Sequence, residues 1–242
     1  MFGRIILTAL AAGLISGVFV WGAHMVKTTP LILAAEVYEN SGDGGKAEHQ
    51  KNQTAVPSAP SAPSAQSAPT AEEAWAPSDG TERTLYTLLV DVITSIGFAF
   101  LLVGAISLSG RDIDWRRGIL WGVCGFAAVF LSPSLGLAPE LPGMQAADLS
   151  ARQVWWLGTA VATAAGLALV ALQPKTVLRG LGLVLIVLPH IIGAPLHTGG
   201  AGGGVPAELA SEFAVATLAV TGLFWVVLGG LTGYFYNRFE QT

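Results

Sequence analysis

The 242-residue chain has few of the groups from which soluble enzymes build their sites. Only 12% of its residues are charged and 52% are hydrophobic, whereas a soluble domain is about one quarter charged. Its single cysteine, Cys124, excludes a disulfide framework and a thiolate metal cage. Walker A and HExxH sequences are missing, as are a nucleophile–base pair and metal-hydrolase spacing. A net charge of −4 gives no nucleic-acid-binding signature. We therefore expect a membrane protein that is not an enzyme.

Apolar sequence is what the chain has in abundance. Six runs are long enough to cross ~30 Å of hydrocarbon at a rise of ~1.5 Å per residue. They are predicted near 2–26, 85–109, 118–137, 154–172, 177–197 and 209–236. The fourth run is short and the fifth contains Pro189 and Pro195, so the count is six spans, or five. The prediction is an all-α membrane protein built as a polytopic helical bundle.

One segment has a different composition. Residues 36–84 contain the Ala/Pro/Ser repeats of "AVPSAPSAPSAQSAPTAEEAWAPSDG", and such a segment cannot bury enough apolar surface to fold. Three parts are therefore predicted: a first transmembrane helix with its outer flank (1–35), a disordered extracytoplasmic loop (36–84), and a bundle of about five further helices (85–242).

The basic residues predict an orientation. If the spans alternate, the long loop and the span ends on its side receive Lys27, Lys46, Lys51, Arg83 and Arg152. The other side receives seven basic residues, namely Arg4, Arg111, Arg116, Arg117, Lys175, Arg179 and Arg238. By the positive-inside rule, that side and both termini are predicted to be cytoplasmic.

Imidazoles and carboxylates collect toward the predicted outer side. His24 ends the first run, Asp91 lies in the outer third of the second, and Glu140 lies in the loop "LAPELPG". His190 and His197 lie in "LPHIIGAPLHTGG" at the end of the fifth run. Such groups suit Co²⁺, Ni²⁺ or Zn²⁺, and the ligand type does not choose among these ions. These five residues are the candidate metal ligands.

Each candidate also has a purely structural interpretation. Asp91 costs roughly 2.5–3.5 kcal/mol to insert, so it must face the bundle interior or a water path, but a packing role would satisfy it. His24 is near enough to the headgroups to be merely solvated, and Glu140 has the sequence context of a turn residue. His190 is harder to explain in this way, because it is deep and follows Pro189.

Pro189 and Pro195 predict an interrupted helix around His190. Proline has no N–H to donate, and the carbonyls it frees cannot face lipid. Many transporters build ion sites at such interruptions. His190 and His197 are seven residues apart, or ~10 Å along a straight helix. Either the chain folds back at 193–195, or the two imidazoles form successive stations on a path.

Several motifs resemble the CbtA family, a proposed cobalt transporter subunit. They are "FGRIILTALAAGLISG", "TPLILAAEVYE", "LSPSLGLAPELPG", "RQVWWLGTAVATAAGLAL" and "LPHIIGAP", in this order. The resemblance implies a bacterial inner-membrane protein linked to cobalamin synthesis, with a small single-span partner, CbtB, that has a histidine-rich tail. It points to His190 in "LPHIIGAP", Glu140 in "PELPG" and His24 before "TPLILAAEVYE". The family is usually described with five spans.

The expected function is that of a membrane subunit of a cobalt uptake system, which supplies Co²⁺ for cobalamin synthesis. Co²⁺ is then the transported ion, and no permanently bound cofactor is expected. The expected partners are the bilayer and a CbtB-like subunit. The alternative is a non-transporting scaffold that positions this histidine-rich partner.

Overall fold

The computed structural model describes residues 2–38, 77–196 and 204–240, and these are helical with no strand. The expected all-α membrane bundle is confirmed. The helices are α1 (Phe2–Lys27), α2 (Thr29–Tyr38), α3 (Thr81–Ser109), α4 (Trp115–Ser134), α5 (Leu149–Leu172), α6 (Thr176–Ile192) and α7 (Ala207–Arg238).

Within the described ranges, five helices are long and apolar enough to cross a membrane: α1, α3, α4, α5 and α7. Helix α6 is equally apolar but has 17 residues, or ~26 Å against a hydrocarbon thickness of ~30 Å. Whether the chain has five or six spans therefore depends on helix α6. It ends at Ile192, five residues before the end of the predicted run 177–197.

The two ends of the described chain meet at one end of the bundle. Arg4 Nε donates a hydrogen bond to the Tyr236 carbonyl at 2.7 Å, and Arg4 Nη2 lies 2.9 Å from a Glu240 carboxylate oxygen. The guanidinium also lies over the Tyr236 ring, 3.6 Å from its centroid. We call this the basic end, because Arg4, Arg111, Arg116, Arg117, Lys175, Arg179 and Arg238 lie at helix ends or connections there.

Glycines allow the main helices to approach closely. A β-carbon on Gly13 or Gly17 of α1 would lie closer than 3.0 Å to the backbone of α3. A β-carbon on Gly229 or Gly233 of α7 would meet the backbone of α4 and its N-cap at a similar distance. Small residues spaced four apart in these helices predict such packing, since lipid provides no hydrophobic drive for helix association. That prediction is confirmed for both pairs. Helix α5 has Gly158, Ala162 and Gly166 at the same spacing. The prediction is confirmed at Gly166, where an added β-carbon would lie closer than 3.0 Å to the Gly182 carbonyl oxygen of α6, and it is wrong at Gly158, which has no neighbour within 4 Å.

Aromatic rings fill the centre of the α1–α3–α4–α7 bundle. Trp225 of α7 is 2% exposed, and its ring centroid lies 5.1 Å from that of Phe98 and 6.5 Å from that of Phe130. Phe224 packs against both Phe98 and Trp225. Helix α5 packs against α4 mainly at the turn formed by Ala127–Leu131, and α6 packs on α5. The α5–α6 hairpin is thus attached to one side of a compact core.

Helix α2 forms a cap on the end opposite the basic end. Its Ala35 is fully buried against Leu141 of the α4–α5 connection and Phe213 of α7, and its Glu36 pairs with Arg83 of α3. The predicted disordered loop 36–84 therefore overlaps helix α2 at its beginning and helix α3 at its end. Its remaining part, 39–76, lies outside the described residues.

Candidate metal site

His190 is held by a chain of hydroxyl groups that connects three helices. Its Nε2 lies 3.0 Å from Ser132 Oγ of α4, and Ser132 Oγ shares a 2.9 Å hydrogen bond with Thr163 Oγ1 of α5. Both hydroxyl residues are buried, whereas His190 is half-buried. His190 is 14 residues from the start of α6, or ~21 Å along the axis. The imidazole therefore lies near the end of α6 that is farther from the basic end, and its hydrogen-bonding partner there, Ser132, is uncharged.

The backbone of α4 is irregular just before Ser132. Residues Ala127–Leu131 form a π-helical turn, and Pro133 follows Ser132 directly. Proline cannot donate the next helical hydrogen bond, and π turns accommodate an extra residue inside an α-helix, frequently at functional sites. Ser132 consequently points from the end of this turn toward α5 and α6.

Helix α6 is continuous through Pro189, so the predicted interruption at that residue is wrong. The helix runs to Ile192 and ends at Gly193, whose φ of +88° is in the region that favours glycine. The Gly193 N–H donates to the Pro189 carbonyl at 3.0 Å. A helix within a bundle tolerates one missing hydrogen bond when its neighbours protect the freed carbonyl, here that of the half-buried Leu185. The chain therefore leaves the helix two residues before Pro195, and His197 lies outside the described residues.

One face of α5 presents polar groups toward this region. Trp155, Thr159 and Thr163 are spaced four apart and so lie on one face of the helix. The Trp155 ring stands edge-on to the His190 ring, with 6.2 Å between the centroids. Within the described residues, Trp155 Nε1 and Thr159 Oγ1 are buried and have no hydrogen-bond partner. Because an unpaired polar group is costly in hydrocarbon, these two groups are suited to water or to a hydrated ion.

A second pair of candidates meets between α1 and α3. His24 Nδ1 lies 3.1 Å from Asp91 Oδ2, with the two side chains 27% and 14% exposed. The Cα–Cβ bonds of a helix tilt toward its N-terminus. Since α1 and α3 are antiparallel, His24 tilts toward the basic end and Asp91 tilts away from it. These opposite tilts bring together residues that are 67 positions apart.

The spacing of this pair is compatible with one shared cation. With bond lengths of about 2.1 Å, as for Zn²⁺, two ligand atoms at right angles around one ion are about 3 Å apart. The imidazole nitrogen and the carboxylate oxygen already have that separation. A cation could therefore replace the hydrogen bond at this separation, provided that the imidazole turns so that its lone pair points at the ion and not at the carboxylate oxygen.

Glu140 is the least available of the candidates. Its carboxylate lies 2.8 Å from Arg152 Nη2 of α5, and the side chains of Glu140 and Arg152 are 27% and 30% exposed. Its neighbour Leu141 is 3% exposed and anchors the connection under α2. A cation at Glu140 would have to compete with a guanidinium group.

The described parts of the chain do not bring the candidates into one cluster. Across 2–38, 77–196 and 204–240, no group of three or more His, Cys, Asp and Glu side chains could hold a metal ion. His190 lies on the hydroxyl chain, His24 pairs with Asp91, and Glu140 pairs with Arg152. Ser132 and Thr163 were not predicted, although Ser132 lies in the quoted motif "LSPSLGLAPELPG" and Thr163 follows Trp155 and Thr159 at helical spacing.

Comparison with known proteins gives one family. A family model described as "Probable cobalt transporter subunit (CbtA)" matches residues 2–237. No curated protein and no solved structure gives a significant match.

Proposed function

The chain belongs to the CbtA family of probable cobalt transporter subunits, and from this premise we propose that it carries Co²⁺ inward across the bacterial inner membrane for cobalamin synthesis. The observation that carries the proposal is His190, a half-buried imidazole between α4, α5 and α6 whose hydrogen-bonding partner is the hydroxyl of Ser132. A neutral imidazole is a good ligand for this class of ion.

Sites with few protein ligands suit transport better than storage. An ion that is conducted must bind well enough to enter and weakly enough to leave, usually at several successive sites. The His24–Asp91 pair offers one nitrogen and one oxygen, and His190 offers one nitrogen beside hydroxyl groups. We propose the pair as an outer station and His190 as an inner one, with water completing the coordination. His197 and Glu140 remain proposed outer ligands, and Glu140 must first release Arg152.

The membrane potential is sufficient to drive accumulation. A divalent cation that moves inward across ~100 mV gains ~4.6 kcal/mol, at ~2.3 kcal/mol for each charge. This corresponds to roughly a thousandfold concentration ratio. No Walker A motif is present in the sequence, so the proposed carrier uses this potential or a partner subunit.

Asp91→Asn should lower cobalt uptake by about tenfold or more. Mutating a group that only supports a metal ligand costs 10–100-fold in affinity or activity, and the loss of a ligand carboxylate should cost at least as much. Asparagine keeps the shape and a hydrogen-bonding oxygen for His24, so the α1–α3 packing should persist. Cobalt accumulation in cells, normalised to the protein in the membrane, is the measurement.

The matched control is Glu212→Gln, which makes the same chemical change in an exposed residue near the start of α7. Its uptake should equal that of the unchanged protein. If Asp91→Asn also transports normally, Asp91 has only a packing role and the outer station is wrong.

The orientation proposal places the basic end in the cytoplasm with both termini. In a Cys124→Ser background, the cysteine of an Asp112→Cys variant should react with an impermeant thiol reagent only after the cytoplasmic face of the membrane is exposed. Cysteines at Asp79 and Ala138, at the opposite end, should react from outside in intact cells. If the Asp112→Cys variant is labelled in intact cells as strongly as the Asp79→Cys variant, the basic end does not lie in the cytoplasm and the orientation is wrong.

One observation favours the scaffold alternative. The described residues hold no three-ligand group, so tight coordination needs ligands from elsewhere. The family description, a subunit, implies a partner, and we propose a small single-span histidine-rich protein like CbtB in this role. A scaffold would present the metal on that partner, whereas a carrier would pass it through this chain.

A further inference from the structure

An apolar groove opens between α3, α4 and α5 near the basic end. Its volume is about 1040 Å³, and most of its lining is aliphatic, including Leu101, Leu108, Leu120 and Ala168. The three leucines are 67%, 90% and 65% exposed. Helix α5 contacts α4 mainly at Ala127–Leu131, toward the opposite end, and the groove therefore separates the α5–α6 hairpin from the core in the basic half of the bundle.

Charged groups occur at one end of this groove only. Arg111, Asp112 and Arg117 line it beside the α3–α4 connection, and all three are exposed. Arg111 Nη2 lies 3.4 Å from the Leu172 carbonyl, and Arg117 Nη1 donates to the Asp112 carbonyl at 2.8 Å. Two guanidinium groups and one carboxylate leave a net positive rim.

The length of the groove is that of one leaflet. Along α4 its lining runs from Arg117 to Val129, twelve residues or ~18 Å, and half of a ~30 Å hydrocarbon core is ~15 Å. A positive rim at headgroup depth above an apolar slot of this length complements a lipid with an anionic headgroup. We propose that the groove binds an anionic phospholipid of the leaflet at the basic end, and that this lipid links the α5–α6 hairpin to the core.

A transmembrane helix of a partner fits the same groove poorly. Such a helix is ~30 Å long, whereas the lining of the groove along α4 extends over only ~18 Å. It would also extend over the other leaflet, where α5 packs directly against Ala127–Leu131.

Lipid binding to the purified full chain tests the proposal without reference to metal transport. Native mass spectrometry should show phosphatidylglycerol binding about tenfold more tightly than phosphatidylcholine with the same acyl chains, the order expected from two arginines partly offset by Asp112. The double variant Arg111→Gln/Arg117→Gln should lose this preference. Ala168→Trp, which fills the slot, should weaken the binding of both lipids.

Arg179→Gln is the matched control, since Arg179 is an exposed arginine of the basic end outside the groove and its Nε donates to the Gln173 carbonyl. It should keep the preference. Equal binding of the two lipids, or a preference that the double variant retains, overturns the proposal. Loss of the preference in Arg179→Gln to the same extent would indicate a diffuse basic surface instead. Release of bound phosphatidylglycerol by a purified partner subunit would show that a protein helix occupies the groove.

Discussion

Replacing His190 with alanine should reduce cobalt uptake to background, a loss of at least about a hundredfold, with the protein still inserted in the membrane. Removing groups that merely support a metal ligand costs 10–100-fold in affinity or activity, and His190→Ala removes the proposed inner ligand itself. The neighbouring Ser132 and Thr163 keep their own 2.9 Å hydrogen bond, so the α4–α5 contact should survive. Cobalt accumulation per inserted molecule is the measurement.

His190→Gln separates coordination from packing. The glutamine amide is of similar length and can still bond to Ser132, but it is a poor ligand for a borderline divalent cation. Uptake should remain at background in this variant. Ser132→Ala should reduce uptake by about tenfold, less than the loss in the His190 variants, because it loosens the imidazole without removing it. Full uptake in His190→Gln would show that the hydroxyl chain serves only to hold α4, α5 and α6 together.

Gly122→Ala should prevent the bundle from accumulating in folded form. A β-carbon there would lie closer than 3.0 Å to the carbonyl oxygen of Trp225, and a backbone atom cannot move aside as a side chain can. Gly118, one turn earlier, meets Gly229 in the same way, so the whole α4–α7 interface would have to separate. Overpacking usually costs 1–3 kcal/mol, and we expect more than ~3 kcal/mol here because two helix backbones must move.

The control for this substitution is Gly97→Ala in α3, where the added β-carbon has no neighbour within 4 Å. The amount of monodisperse protein in detergent and its thermal midpoint are the readouts. Gly97→Ala should match the unchanged protein in both. A Gly122→Ala protein with an unaltered midpoint would mean that α4 and α7 pack less closely than described.

The helices could be predicted because a span depends on local composition. An apolar run of about 20 residues must cross hydrocarbon as a helix to satisfy its backbone, and α1, α3, α4, α5 and α7 follow the predicted runs closely. Helix α2 could not be predicted, since it is short and is stabilised by Ala35 packing against distant Leu141 and Phe213. Helix α6 ends at Gly193, whereas the prolines predicted an interruption at Pro189.

Close packing could be predicted in part. The spacing predicts the glycine pairs of α1 and α7. The α7 pair packs against Gly118 and Gly122 of α4, which have the same spacing but were not predicted. Gly158 has the right spacing but no neighbour within 4 Å. Spacing alone does not reveal which face of a helix meets another helix.

Individual site residues could be predicted, but their pairing could not. His24 and Asp91 stand out as polar residues in apolar runs, yet their contact depends on the register of two antiparallel helices. Arg152 was assigned to orientation alone, and its pairing with Glu140 depends on the path of the α4–α5 connection. Ser132 and Thr163 are neutral and common in membrane helices, so their sequence context gave little indication of the hydroxyl chain at His190.

Cobalt flux into liposomes tests the central claim most directly. The chain is reconstituted with and without its partner subunit, the interior is held at about −100 mV, and Co²⁺, Ni²⁺ and Zn²⁺ are compared; the potential allows roughly a thousandfold accumulation. Our account predicts Co²⁺ uptake that requires this chain, depends on the potential and falls to background with His190→Gln. Uptake by the partner alone at the full rate, or an equal rate with His190→Gln, would contradict it and leave the chain as a scaffold.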